Sequence, residues 1–200
     1  SSYIEGGKGT LICEEDSKME QPVVSGIMYD KNQAKITLKE VPDQPGIAAN
    51  IFEPLADAGL SVDMIIQNIS AEGHTDLSFT LGREELNEAM AIMEKVSKKI
   101  RAENVTADSK IAKISIVGAG MRSHSGVAAR IFKFLSKAKI NILMISTSEI
   151  KVSCIIEQKH TKVAVTTLHK AFGLDSKPTL VKSIDIKKGS AQKKSKTKKK

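Results

Sequence analysis

The sequence lacks tryptophan and has only two cysteines, and both scarcities restrict what it can encode. Cys13 and Cys154 stand 141 positions apart, so they provide neither a disulfide framework nor the Cys-x-x-Cys spacing of a redox or metal site. No apolar run approaches the roughly 20 residues that cross a bilayer, and the N-terminus shows no secretory pattern. We therefore expect a cytoplasmic protein with free thiols and no membrane partner, and we expect Cys154 to lie buried in a strand.

Motifs of catalysis and cofactor binding are equally scarce. The four histidines are scattered without metal-ligand spacing, and neither a Ser/His/Asp or Cys/His set nor a phosphate-binding loop is present. Gly118 and Gly120 follow a strand as in a dinucleotide-binding turn, but the third glycine, Gly126, comes six residues later instead of three, and Glu149 comes too late to be the ribose-binding acid. We therefore expect no catalytic residue, no metal site and no cofactor in this chain.

The positive charge of the chain is confined to one end. The formal net charge is +8, and residues 187–200 contain eight lysines and no acidic residue, so residues 1–186 balance 23 basic groups against 23 acidic ones. Such a low-complexity, like-charged segment is typical of a disordered tail. Residues 187–200 are therefore predicted to be a disordered lysine-rich tail, and the folded part is neutral overall.

An internal repeat is the most informative feature present. When the chain is shifted by 80 positions, residues 46–65 align with residues 126–145, and nine of the twenty positions are identical. The preceding strand repeats at a shift of 78, which aligns residues 35–38 with residues 113–116. The chain thus holds two copies of a module of about 75 residues.

Within each copy the hydrophobic periodicity changes in a fixed order. Copy one predicts a strand at 35–38, a helix from about 47, strands at 62–66 and 77–81, a helix over 86–100 and a short strand near 104–107. Copy two predicts a strand at 112–117, a helix at about 125–138, strands at 140–147 and 151–157, a helix at 161–172 and a last strand near 179–186. This β-α-β-β-α-β order predicts an α+β protein with two ferredoxin-like units in tandem.

The repeat also sets the expected domain boundaries. Residues 1–30 would form an N-terminal linker with one extra strand, which the sequence assigns to neither module. The first domain would span residues 31–109, the second residues 110–186, and the lysine-rich tail would follow.

Two strand-to-helix loops, at 41–48 and 120–127, are candidates for ligand binding. Each places a glycine, Gly46 or Gly126, at a helix N-terminus, where unpaired N–H groups suit a carboxylate. Asp43 adds a negative charge for the ammonium group of an amino acid. Asp63 would supply the second pocket if the loop of one copy faces the second strand of the other. The alternative is an ordinary helix cap made by Asp43, or by Ser123 and Ser125 in the second loop.

Several longer segments of the sequence resemble the C-terminal regulatory region of bacterial aspartate kinase, which is a tandem pair of amino-acid-sensing ACT domains. The similarity covers residues 1 to about 174. Among the segments that carry it are Val41-Pro42-Asp43-Gln44-Pro45-Gly46, Val62-Asp63-Met64-Ile65-Ile66-Gln67-Asn68, Val117-Gly118-Ala119-Gly120-Met121 and Ile145-Ser146-Thr147-Ser148-Glu149-Ile150.

The resemblance implies feedback inhibition of aspartate phosphorylation in lysine, threonine and methionine biosynthesis. The kinase domain is absent here, with the ATP and Mg it would bind, so the chain resembles an excised regulatory fragment or a separate regulatory subunit. By the same likeness we expect a homodimer through the ACT domains, with a catalytic domain or alpha subunit as partner. A threonine-type effector site is implied at Asp43, Gly46, Ile47, Ala48, Gln67, Asn141 and Ile142. A lysine-type site is implied at Met121, His124, Gly126, Val127, Ser61, Val62, Asp63, Ser148 and Glu149.

Two other functions stay open at this point. One is an ACT-type sensor of a different enzyme. The other is nucleic-acid binding through the basic tail, which we expect to be weak and nonspecific because the chain has only two tyrosines and five phenylalanines to stack bases. No specific nucleic-acid partner is therefore expected.

Overall fold

The computed structural model describes residues 24–68, 73–118 and 126–175. In the described part, short 3-10 turns at Arg83–Glu85 and Gln158–His160 precede the second and fourth helices. The strands and helices, in chain order, are β1 Gly26–Pro42, α1 Ile47–Asp57, β2 Val62–Gln67, β3 His74–Gly82, α2 Leu86–Ile100, β4 Asn104–Val117, α3 Val127–Lys137, β5 Ile142–Thr147, β6 Lys151–Glu157 and α4 Thr161–Ala171.

The six described strands form one antiparallel sheet in the order β2-β3-β1-β4-β6-β5. Module one contains β2, β3 and the C-terminal half of β1, covered by α1 and α2. Module two contains β5, β6 and the C-terminal half of β4, covered by α3 and α4. The predicted fold class, two ferredoxin-like units in tandem, is confirmed.

Two long strands, β1 and β4, run through both modules. Residues 33–42 of β1 pair with β3, while residues 26–30 pair with residues 113–117 of β4. The extra strand near the N-terminus therefore joins module two, where it takes the edge position that residues 104–108 take in module one. The strand predicted near 179–186, the linker before residue 24 and the tail at 187–200 lie outside the described residues.

The sequence predicted separate strands near 104–107 and 112–117, and this division was wrong. Residues 104–117 form one continuous strand, because the polar residues between the two segments form a β-bulge. A matching bulge interrupts β1. Each bulge begins with an aspartate, Asp30 or Asp108, whose carboxylate accepts the N–H of the residue two positions later, Asn32 or Lys110, at 2.8 Å.

The helices pack through apolar faces that the repeat places in identical register. Ile47, Ile51 and Leu55 of α1 are buried in module one, and Val127, Ile131 and Leu135 are their counterparts in α3. Burying a side chain of this size contributes about 1.5–3 kcal/mol. A third cluster, of Met64, Ile111, Met144 and Ile155, joins the two modules and brings the outermost strands, β2 and β5, close together, so the sheet is curled.

Among the described residues, no helix combines the length and the apolar character needed to cross a membrane.

Lys139 occupies a backbone conformation that favours glycine. Its φ is +56°, whereas the counterpart in module one is Gly59, with φ +74°. Because a left-handed conformation is costly for a residue with a Cβ, we expect Lys139→Gly to stabilise the protein by about 0.5–1 kcal/mol. Urea denaturation followed by circular dichroism would measure this. Lys133→Gly, inside α3, should instead lose about 1 kcal/mol, and equal effects of the two substitutions would contradict the explanation.

Cys154 lies in β6 and is fully buried, as predicted. Burial raises the pKa of its thiol from 9.0 to about 11. The folded state therefore favours the protonated thiol. The contribution of this thiol to the free energy of unfolding is retained below pH 9 and is lost as the pH rises through 11. We expect the stability advantage of the parent chain over Cys154→Ala to shrink by about 2 kcal/mol between pH 8 and pH 10.5 in urea denaturation. An advantage that does not change with pH would contradict this expectation.

Candidate functional site

The loop between β1 and α1 lies at the outer end of module one. The Asp43 N–H donates to the Gly73 carbonyl at 2.9 Å, which ties the loop to the turn between β2 and β3. Gln67 ends β2 at the same end of the sheet, since it pairs with Leu77 and Leu77 pairs with Leu38. The structure therefore places Asp43, Gly46, Ile47, Ala48 and Gln67 at the same end of module one.

Gly46 begins α1 in a left-handed conformation, with φ +88°. Its carbonyl accepts the Asn50 N–H at 3.1 Å, the Ile47 N–H donates to the Gln44 carbonyl at 3.2 Å, and no side chain of the described residues caps the helix. The alternative in which Asp43 is the cap of α1 is therefore wrong. Asp43 is exposed beside the helix start, so its carboxylate and the first N–H groups of α1 present charges of opposite sign at one end of the module.

Module two repeats this geometry. Gly126 begins α3 with φ +96°, its carbonyl accepts the Arg130 N–H at 2.9 Å, and within the described part of the chain no side chain caps this helix either. Ser148 and Glu149 lie at the same end, in the turn between β5 and β6. Val127 is buried as the first residue of α3. Met121, His124, Ser123 and Ser125 lie outside the described residues.

The remaining predicted residues lie near the centre of the molecule, where the two modules meet. Ile142 begins β5 and Asn141 directly precedes it, and both line a groove of about 500 Å³ together with Phe132, Ser136, Lys139 and Ile140. Ser61 and Val62 are their counterparts at the start of β2. Sequence reasoning missed Lys139, although the repeat signals it by replacing Gly59 with a lysine.

Within one chain, these central residues do not meet the loops with which they were grouped. The start of β5 pairs through β6 with residue 112 of β4, next to the residue that faces Gln33 of β1, whereas the Asp43 loop follows Pro42. Because an extended residue advances about 3.3 Å, residues 34–42 separate the two ends by roughly 30 Å. A site that combines Gly46 with Asn141, or Gly126 with Ser61, requires a second copy of the chain.

Asp63 already has a partner in this structure. Its carboxylate forms a salt bridge with Lys113 of β4, which links β2 of module one to module two. The Asp63 side chain is 38% exposed and that of Lys113 is 18% exposed, so the pair is partly accessible. Lys113 also pairs in register with Asp30. Burial tends to raise the pKa of Asp30, but hydrogen bonds from Gln33 and Asn32 and the charge of Lys113 outweigh it, so this pKa is lowered.

Over residues 24–68, 73–118 and 126–175, no group of three or more metal-ligating side chains is assembled. The arrangement instead offers charged and backbone groups suited to a small zwitterion.

Comparisons with known proteins agree with the fold described above. The ACT domain profile matches residues 39–96 and 114–172. Over 171 residues the chain is 52% identical to the aspartate kinase of Pseudomonas fluorescens, and over 172 residues it is 49% identical to the aspartokinase of Helicobacter pylori. These matches cover 85% and 84% of this chain, but only 41% and 42% of the length of those relatives.

Solved structures show the same relationship. A crystal structure of aspartokinase alpha and beta subunits contains a chain that is 49% identical, with a TM-score of 0.71; the match covers 75% of this chain and 99% of that one. The ligand-free regulatory subunit of aspartate kinase from Thermus thermophilus is 38% identical, also with a TM-score of 0.71, and the match covers 75% of this chain and 99% of that one.

Proposed function

From the premise that this chain belongs to the ACT domain family, as a regulatory region of aspartate kinase, we propose that it binds the end-product amino acids threonine or lysine and thereby inhibits a cytoplasmic aspartate kinase. The kinase catalytic domain or alpha subunit, where ATP and Mg would bind, is its proposed partner. The chain itself contributes regulation and no catalysis.

The observation that carries this proposal is the start of α1, which no side chain of the described residues caps, beside the exposed Asp43. A free α-amino acid carries a carboxylate and an ammonium group on adjacent atoms. N–H groups at a helix start favour the carboxylate, and the aspartate favours the ammonium. Gly46 leaves the approach open, since no atom of the described residues other than its own chain neighbours lies within 4 Å of where its Cβ would stand.

Charge distribution supports a homodimer in which unlike modules face each other. Residues 24–110 contain nine basic and fourteen acidic residues, whereas residues 111–175 contain ten basic and three acidic residues. A twofold axis that sets module one of one chain against module two of its partner would pair these opposite charges. That arrangement would also bring the Asp43 loop to Asn141 and Ile142, and the Gly126 loop to Ser61 and Asp63.

The same arrangement supplies a mechanism for inhibition. An effector enclosed between two chains contacts both, so it binds the closed arrangement more tightly than an open one and shifts the population toward it. Coupling of about 1–3 kcal/mol would change the kinase's affinity for its ligands about five- to 150-fold.

Calorimetry on the purified chain tests the proposal directly. We expect saturable binding of L-threonine or L-lysine, with the D-enantiomers as controls, because a site that holds both charged groups distinguishes the hand of the α-carbon. Sedimentation should show more dimer when the effector is present. If none of the twenty amino acids binds or raises the melting temperature, the proposal is wrong.

A further inference from the structure

A cavity of about 630 Å³ lies at the junction of the two modules, apart from the candidate effector residues. It is lined by Lys31, Lys110, Glu157, Gln158 and Lys159. Lys31 and Lys110 come from the paired bulges of β1 and β4, while Gln158 and Lys159 belong to the turn that starts α4. Both modules therefore build the wall of this cavity, and cavities of this size commonly hold small molecules.

Arg83 lies against this cavity with its guanidinium held in place. Its Nη2 donates to the carbonyl of Lys31 at 2.6 Å and to Oε1 of Gln158 at 2.9 Å, and both acceptors are uncharged. Its Nε is buried and has no hydrogen-bond partner among the described residues. In the repeat, Arg83 and Gln158 are equivalent positions, so the contact joins the two modules at their pseudo-twofold axis.

The charges around the cavity are strongly unbalanced. Lys31, Lys110, Lys159 and Arg83 bring four positive charges, and Glu157 brings one negative charge, which Lys159 pairs at 2.5 Å. Arg83 hydrogen-bonds to uncharged acceptors, and its charge helps to lower the pKa of Asp30, so these two charges offset each other. The residues that line the cavity keep an excess of two cations, three lysines against Glu157.

The start of α4 adds to this imbalance. It has no acidic residue in its first turn and follows Lys159 and His160, whereas the equivalent turn before α2 carries Glu84 and Glu85. Cations at a helix N-terminus oppose the helix dipole, so this part of the sequence gives up stability that an acidic residue would supply. A conflict of this kind between sequence and local structure is expected where a ligand supplies the missing charge.

We propose that this junction cavity binds an oligophosphate group, as a free oligophosphate or as part of a nucleotide. Several linked negative charges match three lysines spread over the cavity, with a net excess of two cations, better than one carboxylate does. Lys110 and Lys159 would contact the terminal phosphates. Arg83 would hold Lys31 and Gln158, two residues of the cavity wall, in place through its hydrogen bonds. A ligand there contacts both modules, so it also stabilises their relative placement.

Titration calorimetry of the full chain with sodium tripolyphosphate, at about 50 mM salt, tests this site. We expect one saturable site, and Lys110→Glu with Lys159→Glu should weaken binding more than tenfold. The matched control is Lys95→Glu with Lys133→Glu, which changes the net charge equally on exposed helix surfaces and should change affinity less than twofold. All three proteins keep the same lysine-rich tail, so any binding to the tail is common to them.

Equal weakening in the two double variants would overturn the proposal, because it would show only nonspecific attraction. Should the glutamate pair unfold, Lys110→Ala with Lys159→Ala must still lose at least tenfold. ADP separates the two ligand sources: tighter binding of ADP than of diphosphate indicates a nucleotide, and equal binding indicates a free oligophosphate. Threonine or lysine binding should be unchanged in the double variants, so this proposal and the proposed regulatory function can fail separately.

Discussion

Replacing Asp43 by alanine should weaken L-threonine binding more than tenfold, which corresponds to at least about 1.4 kcal/mol. The reason is that the side chain supplies a carboxylate for the ligand ammonium while making no capping bond to α1. The fold should be unaffected, because Asp43 is exposed and its N–H bond to Gly73 comes from the backbone. Calorimetry gives the affinity, and thermal unfolding gives the stability.

A charge-matched control distinguishes a specific contact from a change in net charge. Glu53→Ala removes one negative charge from the exposed surface of α1 and should change the affinity less than twofold. Unchanged threonine binding in Asp43→Ala would contradict the assignment of this loop. A similar loss in both variants would mean that the long-range field, and not the loop, attracts the ligand.

Truncating the core at a single position of either long strand should destabilise the whole protein. Ile36 in β1 and Ile114 in β4 are equivalent in the repeat, and both are completely buried. We expect Ile36→Ala and Ile114→Ala each to lower the free energy of unfolding by about 2–5 kcal/mol. Because β1 and β4 belong to both modules, one cooperative transition should remain in each variant.

Hydrogen exchange measured by mass spectrometry resolves whether the modules unfold together. In each variant, the slowest amides of both modules should exchange faster by a similar factor. Val163→Ala is the control, since this side chain is 50% exposed and its truncation should cost less than about 0.5 kcal/mol. Faster exchange restricted to module one in Ile36→Ala would show that the modules are independent.

The fold could be predicted because the two copies of the repeat give two independent hydrophobic patterns for the same order of strands and helices. The apolar residues Ile47, Ile51 and Leu55 recur 80 positions later, so one periodicity supports the other, and both sets are buried. The continuity of β4 was missed because a bulge puts polar residues where a strand end is expected. Only the partner strand shows that pairing resumes after Asp108, and a sequence does not reveal its partner strand.

The site was predictable to the extent that it depends on local geometry. Glycine at a strand-to-helix junction indicates a left-handed residue, and Gly46 and Gly126 both adopt that conformation. The salt bridge between Asp63 and Lys113 depends on how the sheet curls, over 50 residues of separation, and no periodicity encodes it. The pairing of loops with central strands depends on a second chain and stays a prediction.

The interlocking of β1 and β4 also limits how this protein can evolve. A gene rearrangement that moved residues 111–175 alone into another enzyme would leave behind residues 26–30, the edge strand on which β4 depends. One that moved residues 33–108 alone would sever both strands at their bulges. Only a transfer of residues 24–175 together keeps all six strands of the described sheet intact, so the two modules are inherited as a single unit.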